Sequence, residues 1–206
     1  MKEWWRGNLR VLQDNLQVAD TPKMNAKQIA ADTKAMHANA LVVNAGGIYA
    51  WYDTEVPFHH RNEFLPAGQD LLGDLIRECH ALGIRLIARF DFSKTHDYVY
   101  LHRPDWFVRE PDASPRPYGA LRSGNWSILY GTCINSGYRN EEVAFPVLKE
   151  AITKYDIDGV FLNAPNYEYC CCDACRKKYK QLYGKEIPMM QGSGGPYSKT
   201  PQPADL

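Results

Sequence analysis

The sequence predicts an α/β protein built on parallel strands, the N-terminal half (about four βα units) of a (β/α)8 TIM barrel. Three observations carry that expectation. Four apolar segments of strand length alternate with amphipathic helical patterns, which implies right-handed βαβ units and a parallel sheet. The helix-to-strand links are short (Ala38-Asn39, Leu82-Gly83, Asp156-Ile157-Asp158), whereas the connections after strands are long, aromatic and polar. Such asymmetry marks a fold whose site lies at the carboxyl ends of its strands. Finally, no glycine-rich phosphate loop follows the first strand, where the chain reads Gln17-Val18-Ala19-Asp20-Thr21-Pro22, and nucleotide-binding versions of the fold are thereby disfavoured.

The first strand is expected within Leu9–Leu16, followed by a helix from Ala26 to Ala38 with Asn25 as N-cap and Gln28 in capping-box position. Ala40-Leu41-Val42-Val43-Asn44-Ala45 forms the second strand, ended by Gly46-Gly47. After an aromatic loop, Leu72, Leu75, Ile76 and Cys79 repeat at the spacing of one buried helical face, and Gly83 closes that helix. The third strand, Ile84–Asp91, begins at once; a Pro-, Tyr- and Trp-rich loop of nearly fifty residues follows. Val143/Ala144, Val147/Leu148 and Ala151/Ile152 make the next helical stripe, with Asn140 as its expected cap and Pro146 delaying or bending its start. Gly159-Val160-Phe161-Leu162-Asn163 is the fourth strand, and a short helix covers Asp173 to Tyr183.

A length of 206 residues suits one domain, or a little more. Four units occupy about 185 residues, so a whole eight-unit barrel at that spacing would need roughly 370. The expected domain is therefore a partial barrel over residues 1–190, and 191–206, without periodicity, reads as a disordered tail. Lys+Arg 24 against Asp+Glu 24 removes the excess cation on which phosphate affinity depends, so no nucleic-acid partner is expected. No apolar run reaches bilayer length and the N-terminus lacks a secretory h-region, which points to no membrane association and a cytoplasmic location. No organic cofactor is expected.

Side chains alternate across a strand, so Leu86, Ala88 and Phe90 suit the helix face, while Ile87, Arg89 and Asp91 point inward. The same parity turns Asn44, Asn163 and either Gln13 or Asn15 toward one cavity at the strand tips. Convergent polar groups of that kind predict a binding site, the alternative being an Arg89–Asp91 ion pair that only closes the barrel mouth. In the loop after the second strand, Trp51, Tyr52, His59 and His60 offer flat rings and hydrogen-bonding reach suited to a sugar. The third loop repeats the pattern with Ser93, Lys94, His96, His102 and Trp106, the last equally suited to latching the loop by packing.

Of six cysteines, Cys170, Cys171, Cys172 and Cys175 crowd into one segment, which in a chain lacking an export signal points to metal before disulfides. Cys172-x-x-Cys175 can grip one tetrahedral Zn²⁺, Cys170 adds a third thiolate, and Cys133 is a candidate fourth. A set of reduced thiols, with Cys171 a spectator, is the competing interpretation.

Several separated blocks carry a family resemblance. Asn44-Ala45-Gly46-Gly47-Ile48-Tyr49-Ala50-Trp51-Tyr52, Ala88-Arg89-Phe90-Asp91-Phe92-Ser93, His102-Arg103-Pro104-Asp105-Trp106-Phe107 and Asp158-Gly159-Val160-Phe161-Leu162-Asn163 resemble the hypothetical glycosyl hydrolase 6 family. These are TIM-barrel glycoside hydrolases related to α-L-fucosidases and to family 42 β-galactosidases. The resemblance implies a carbohydrate substrate and, from the β-galactosidases, a structural zinc on Cys133, Cys170, Cys172 and Cys175. Two departures stand out. The α-L-fucosidase nucleophile is an Asp at the end of the fourth strand, where this chain has Asn163, and an amide cannot replace a carboxylate in a retaining mechanism. The later strands, which normally bring another catalytic carboxylate, are not in the sequence, so a truncated product or fragment is expected.

Two functions follow. One is a glycoside hydrolase acting on O-glycosidic bonds, with Asp91 and Asn163 at the reacting centre and Asn44, Trp51, Tyr52, His59, His60 and Arg89 lining the sugar site. The other is a non-catalytic half-barrel that binds saccharide or self-associates, since an open sheet leaves Ile87, Phe161 and two strand edges without partners.

Overall fold

The computed structural model of the chain describes residues 3–118, 128–165 and 168–188; the expected tail, 191–206, lies outside them. The chain divides into two compact units, Met1–Asp91 with Val143–Ala164, and Phe92–Glu142 with Pro165–Leu206.

In the first unit a four-stranded parallel sheet has the order β1 (Val11–Asp14), β2 (Ala40–Gly47), β3 (Arg85–Asp91), β7 (Gly159–Leu162). Three helices belong to it: α1 (Ala26–Ala35), α2 (Leu71–Ala81) and α4 (Ala144–Lys154). Helix α1 begins where expected, because the Asn25 side-chain oxygen Oδ1 accepts the Gln28 N–H at 3.0 Å. Asp70 does the same for α2 through the Gly73 N–H at 2.9 Å. Helix α4 starts after Asn140, whose amide donates instead to the carbonyls of Ile134 and Ser136. Pro146 then falls in its first turn, where a missing N–H is harmless.

The core lies on the helix side of the sheet. Leu86, Ala88 and Phe90 are fully buried there with Leu41, Val43, Leu71, Leu72 and Leu75, whereas Ile87, Arg89 and Asp91 on the opposite face are half-buried. Strand β2 runs through Gly46-Gly47 instead of ending before them, and its register against β3 shifts between Asn44 and Gly46. Only glycine fits at position 47: its φ is +101°, and a Cβ there would lie 2.2 Å from the Asp91 carbonyl oxygen. That close approach sets Asp91 beside the end of β2. The outermost strand, β7, leaves Val160, Phe161 and Leu162 exposed.

The second unit holds most of what the sequence presents as one long loop. A three-stranded antiparallel sheet in the order β4 (Lys94–His96), β6 (Leu129–Gly131), β5 (Pro117–Tyr118) is joined by α3 (Asp97–His102) and α5 (Asp173–Tyr183). Trp106 packs inside this unit with its indole N–H on Glu142 at 3.0 Å and the Arg103 guanidinium 3.9 Å above its ring, the latch arrangement.

Candidate functional site

At the carboxyl ends of β2 and β3, Asn44, Gly46, Tyr49, Trp51, Arg89 and Asp91 line a hollow of about 120 Å³. Arg89 is its cation. One guanidinium nitrogen, Nη1, donates to the side-chain oxygens of Asn15 (2.7 Å) and Asn44 (2.9 Å), while Nε is buried without a hydrogen-bond partner among the described residues. Arg89 pairs with no carboxylate there, so the ion pair that would simply close the mouth is not made. The Asn44 amide is in turn anchored on the Leu16 carbonyl at 3.2 Å.

Asp91 stands on the same strand face, two residues on. Its Oδ2 accepts the Asn163 side-chain amide at 2.8 Å, and the Asn163 backbone N–H continues the ladder onto the Phe90 carbonyl at 2.8 Å. Asn15, Asn44, Arg89, Asp91 and Asn163 therefore form polar contacts at the tips of all four parallel strands. A carboxylate and a guanidinium side by side, with amides behind them, suit the alternating donor and acceptor needs of vicinal hydroxyls.

The aromatic loop divides into residues that face the hollow and residues that hold it up. Tyr49 lines the hollow half-buried, whereas Trp51, which also lines it, is itself only 2% exposed and forms its wall rather than an offered ring face. His60 makes an edge contact with the Tyr49 ring, 5.6 Å between centroids, and reaches Glu63 at 3.2 Å. Tyr52 and His59 turn inward. Tyr52 is fully buried and its hydroxyl donates to Glu150 Oε2 at 2.9 Å, so its ring presents no face to a sugar. Burial, then the Glu150 carboxylate, raise the Tyr52 phenol far above its ordinary value and keep it protonated. His59 is buried too, and its Nε2 accepts the Gly47 N–H at 3.0 Å. That acceptor role fixes the tautomer: Nδ1 carries the proton and donates to Thr54 Oγ1 at 3.0 Å, whose hydroxyl donates to Glu150 Oε2 at 2.7 Å. Burial pushes His59 down to about 4, so the ring is neutral at physiological pH.

In the second unit the Sγ atoms of Cys133, Cys170, Cys172 and Cys175 all lie within 4.8 Å of one another, and all four residues are buried. Cys133 and Cys175 approach to 3.3 Å, Cys133 and Cys172 to 3.6 Å. A tetrahedral ion with metal–sulfur bonds of about 2.3 Å sets its sulfurs about 3.8 Å apart, so the quartet fits one ion. Backbone N–H groups point at the sulfurs as they would at thiolates: Asn135 to Cys133 at 3.3 Å, Arg109 and Cys172 to Cys170 at 3.4 and 3.5 Å. Cys172 is held low by hydrogen bonds from Cys133, Cys170 and Cys175, in that order. Cys171 faces away, onto the Tyr169 hydroxyl at 3.3 Å.

Residues 25–164 match the family described as Hypothetical glycosyl hydrolase 6. The chain belongs to that family. Among solved structures, it is similar to α-L-fucosidase isoenzyme 2 from Paenibacillus thiaminolyticus, with a TM-score of 0.65 and 20% identity over 84% of this chain and 26% of that one. A noncanonic maltogenic α-amylase from Thermotoga neapolitana matches with a TM-score of 0.50 and 13% identity, over 84% of this chain and 42% of the amylase. A hypothetical protein from Ruminiclostridium thermocellum gives 0.50 and 14%, over 79% of this chain and 78% of its own. No curated protein matches the sequence. The likeness shows the fold, parallel α/β units of a TIM barrel, and the chain spans about a quarter of the fucosidase it resembles.

Glu150 is the functional-looking residue that sequence reasoning passes over. It collects the Tyr52 hydroxyl, the Thr54 hydroxyl and the Glu55 N–H (2.7 Å) on one carboxylate, and so staples the loop of this glycosyl hydrolase family member to α4. Its signal is positional: residue 150 shares a helical face with Val147, Ala151 and Lys154, where an acid needs partners.

Proposed function

We propose that the chain is a glycoside hydrolase domain acting on O-glycosidic bonds, with Asp91 as its reacting carboxylate. The observation that carries this is the shared hollow: Asn44, Arg89 and Asp91 line it together, and Asn163 holds Asp91 from the next strand. In this scheme Arg89 and Asn44 bind ring hydroxyls, Tyr49 covers an apolar sugar face, the buried Trp51 backs the wall behind it, and His60 closes the rim. Tyr52 and His59 act from beneath, through Glu150 and Gly47. Asn163 donates to the oxygen of Asp91 and so fixes the direction in which that carboxylate points.

One feature supports a second reading. Asp91 is the one carboxylate lining the hollow among the described residues, whereas glycoside hydrolysis uses two. A domain that binds saccharide without turnover is the alternative. Aryl α-L-fucoside and aryl α-glucoside hydrolysis, measured beside calorimetric binding of the methyl glycosides, separates the two. Turnover abolished by Asp91→Asn supports the hydrolase; binding without turnover supports the alternative; neither result in the intact protein removes the carbohydrate reading.

The cysteine quartet would hold a structural Zn²⁺, leaving no open coordination position for chemistry. One equivalent of zinc by elemental analysis, lost in Cys172→Ser, is the expected result, and a metal-free protein of full stability contradicts it. The exposed edge of β7 supports self-association through edge pairing, which a monodisperse monomer by sedimentation would refute.

A further inference from the structure

A second depression opens beside the first, in the same unit. The groove, about 370 Å³, lies between the end of β1, the turn over Val18–Lys23 and the start of α1. Asp14, Gln17, Asp20 and Lys23 line it over an apolar floor that includes Met24 and Ile29. None of those four polar side chains makes a hydrogen bond or ion pair among the described residues. Asp14 is the most telling of them. It is half-buried, burial raises its carboxyl above the ordinary range, and no cation neutralises it although Lys23 lines the same groove. A carboxylate left so, in a concavity, has hydrogen-bonding capacity that the fold itself does not use.

The groove and the hollow share a wall. Asn15 lines the groove and accepts from Arg89 of the hollow; Leu16 lines the groove and accepts from Asn44; Val18 lines the hollow. Asp14, in register with Val43, faces the helix side of the sheet while Asn15 faces the hollow, so a ligand spanning both would pass over the chain at Asn15–Leu16. Two acids and one lysine side by side give the groove no single sign of charge, which disfavours an anion and suits a neutral ligand offering both donors and acceptors. The two acids do not belong to a metal-binding group, since among the described residues only the cysteine quartet forms one. The groove, about 370 Å³, is three times the volume of the hollow, about 120 Å³.

We propose that the groove at Asp14 is a subsite for a further sugar of an oligosaccharide whose terminal ring occupies the hollow. Asp14 accepts a hydroxyl of that second sugar, Gln17 and Lys23 donate to others, and the Met24–Ile29 floor takes its apolar face. The substrate class is then a glycan rather than a simple glycoside. This rests on the saccharide role of the hollow.

The test uses the intact protein and amide chemical shifts, with methyl α-L-fucoside and methyl α-glucoside as single-sugar probes and fucosyllactose and maltotriose as their extended counterparts. The single-sugar probe that binds should move Gly46, Tyr49 and Trp51 only, and its extended counterpart should also move Gln17, Lys23 and Gln28. Asp14→Ala should weaken the extended ligand about tenfold, the effect of one hydrogen bond to a charged group, and leave the methyl glycoside unchanged. Lys23→Ala, on an exposed side chain that cannot unfold the domain, should act in the same direction. Extended ligands that move only the hollow, with both variants silent, overturn the subsite and leave the hollow's role standing. If no probe moves the hollow, that role and the subsite fall together.

Discussion

Acid should destabilise this protein through one buried imidazole. His59 is only 4% exposed and its Nε2 accepts the Gly47 N–H, so a second proton on the ring would set two donors against each other. Burial lowers the ring from 6.5 to about 4, the Glu150 carboxylate pulls the other way, and His60 lowers it further. In the unfolded chain the imidazole returns to its ordinary value. Between the two values the unfolded state binds more protons than the folded state, so stability is complete above about pH 6.5 and falls as pH drops toward 4. Over that window one group accounts for about 3 kcal/mol. The measurement is urea unfolding followed by tryptophan fluorescence, from about pH 7 to about pH 4, for the wild type and His59→Gln. Glutamine keeps a carbonyl acceptor for Gly47 but has no charge to gain, so its stability profile should lie flatter by about 3 kcal/mol. Parallel profiles for the two proteins would refute the argument, since Gln differs from His here chiefly in its inability to titrate.

Two further outcomes follow from the same unit. Glu150→Ala leaves the fully buried Tyr52 hydroxyl without its acceptor and should lower unfolding free energy by about 2–4 kcal/mol; adding Tyr52→Phe should recover about 1–2 of these, and additive losses in that double-mutant cycle would disprove the coupling. At Asp158, burial acts to raise the carboxyl, but the Leu86 N–H (2.9 Å), His80 (2.7 Å) and Arg85 (2.8 Å) outweigh it and hold the group low. That stabilisation is present above the ordinary 3.8 and lost as pH falls through the lower folded value, so Asp158→Asn should destabilise by about 1–2 kcal/mol at neutral pH and flatten the acid limb of thermal melts.

What the sequence discloses here tracks how much periodicity each residue sits in. Strand parity has only two outcomes, and in β3 it separates Leu86, Ala88 and Phe90 from Arg89 and Asp91 on the strength of residue type alone. The same argument brings Asn44 and Asn163 to the mouth, because parallel strands in register carry their tips to one level. Loop residues have no parity. Trp51 and Tyr52 are neighbours of the same chemical class, yet one lines the hollow and the other is bonded to α4, and nothing in their spacing distinguishes them. His59 and His60 divide in the same way, the first into the interior and the second to the rim. The small sheet of β4, β6 and β5 escapes for a related reason: strands of two or three residues are too short to show alternation.

The element that decides where the loop residues go is a side chain from a distant helix. Glu150 supplies acceptors for three groups of the segment Tyr52–Glu55, and through Thr54 and His59 its influence reaches Gly47, against which Asp91 is packed. A charged residue on the inner face of an amphipathic helix is costly unless its partners are already in place. Its presence at position 150 therefore argues that the loop after β2 is specified as firmly as the strands it joins. Gly47 bears the same argument at the other end of the relay, for a larger residue there would push against the backbone of Asp91 and move its carboxylate in the hollow.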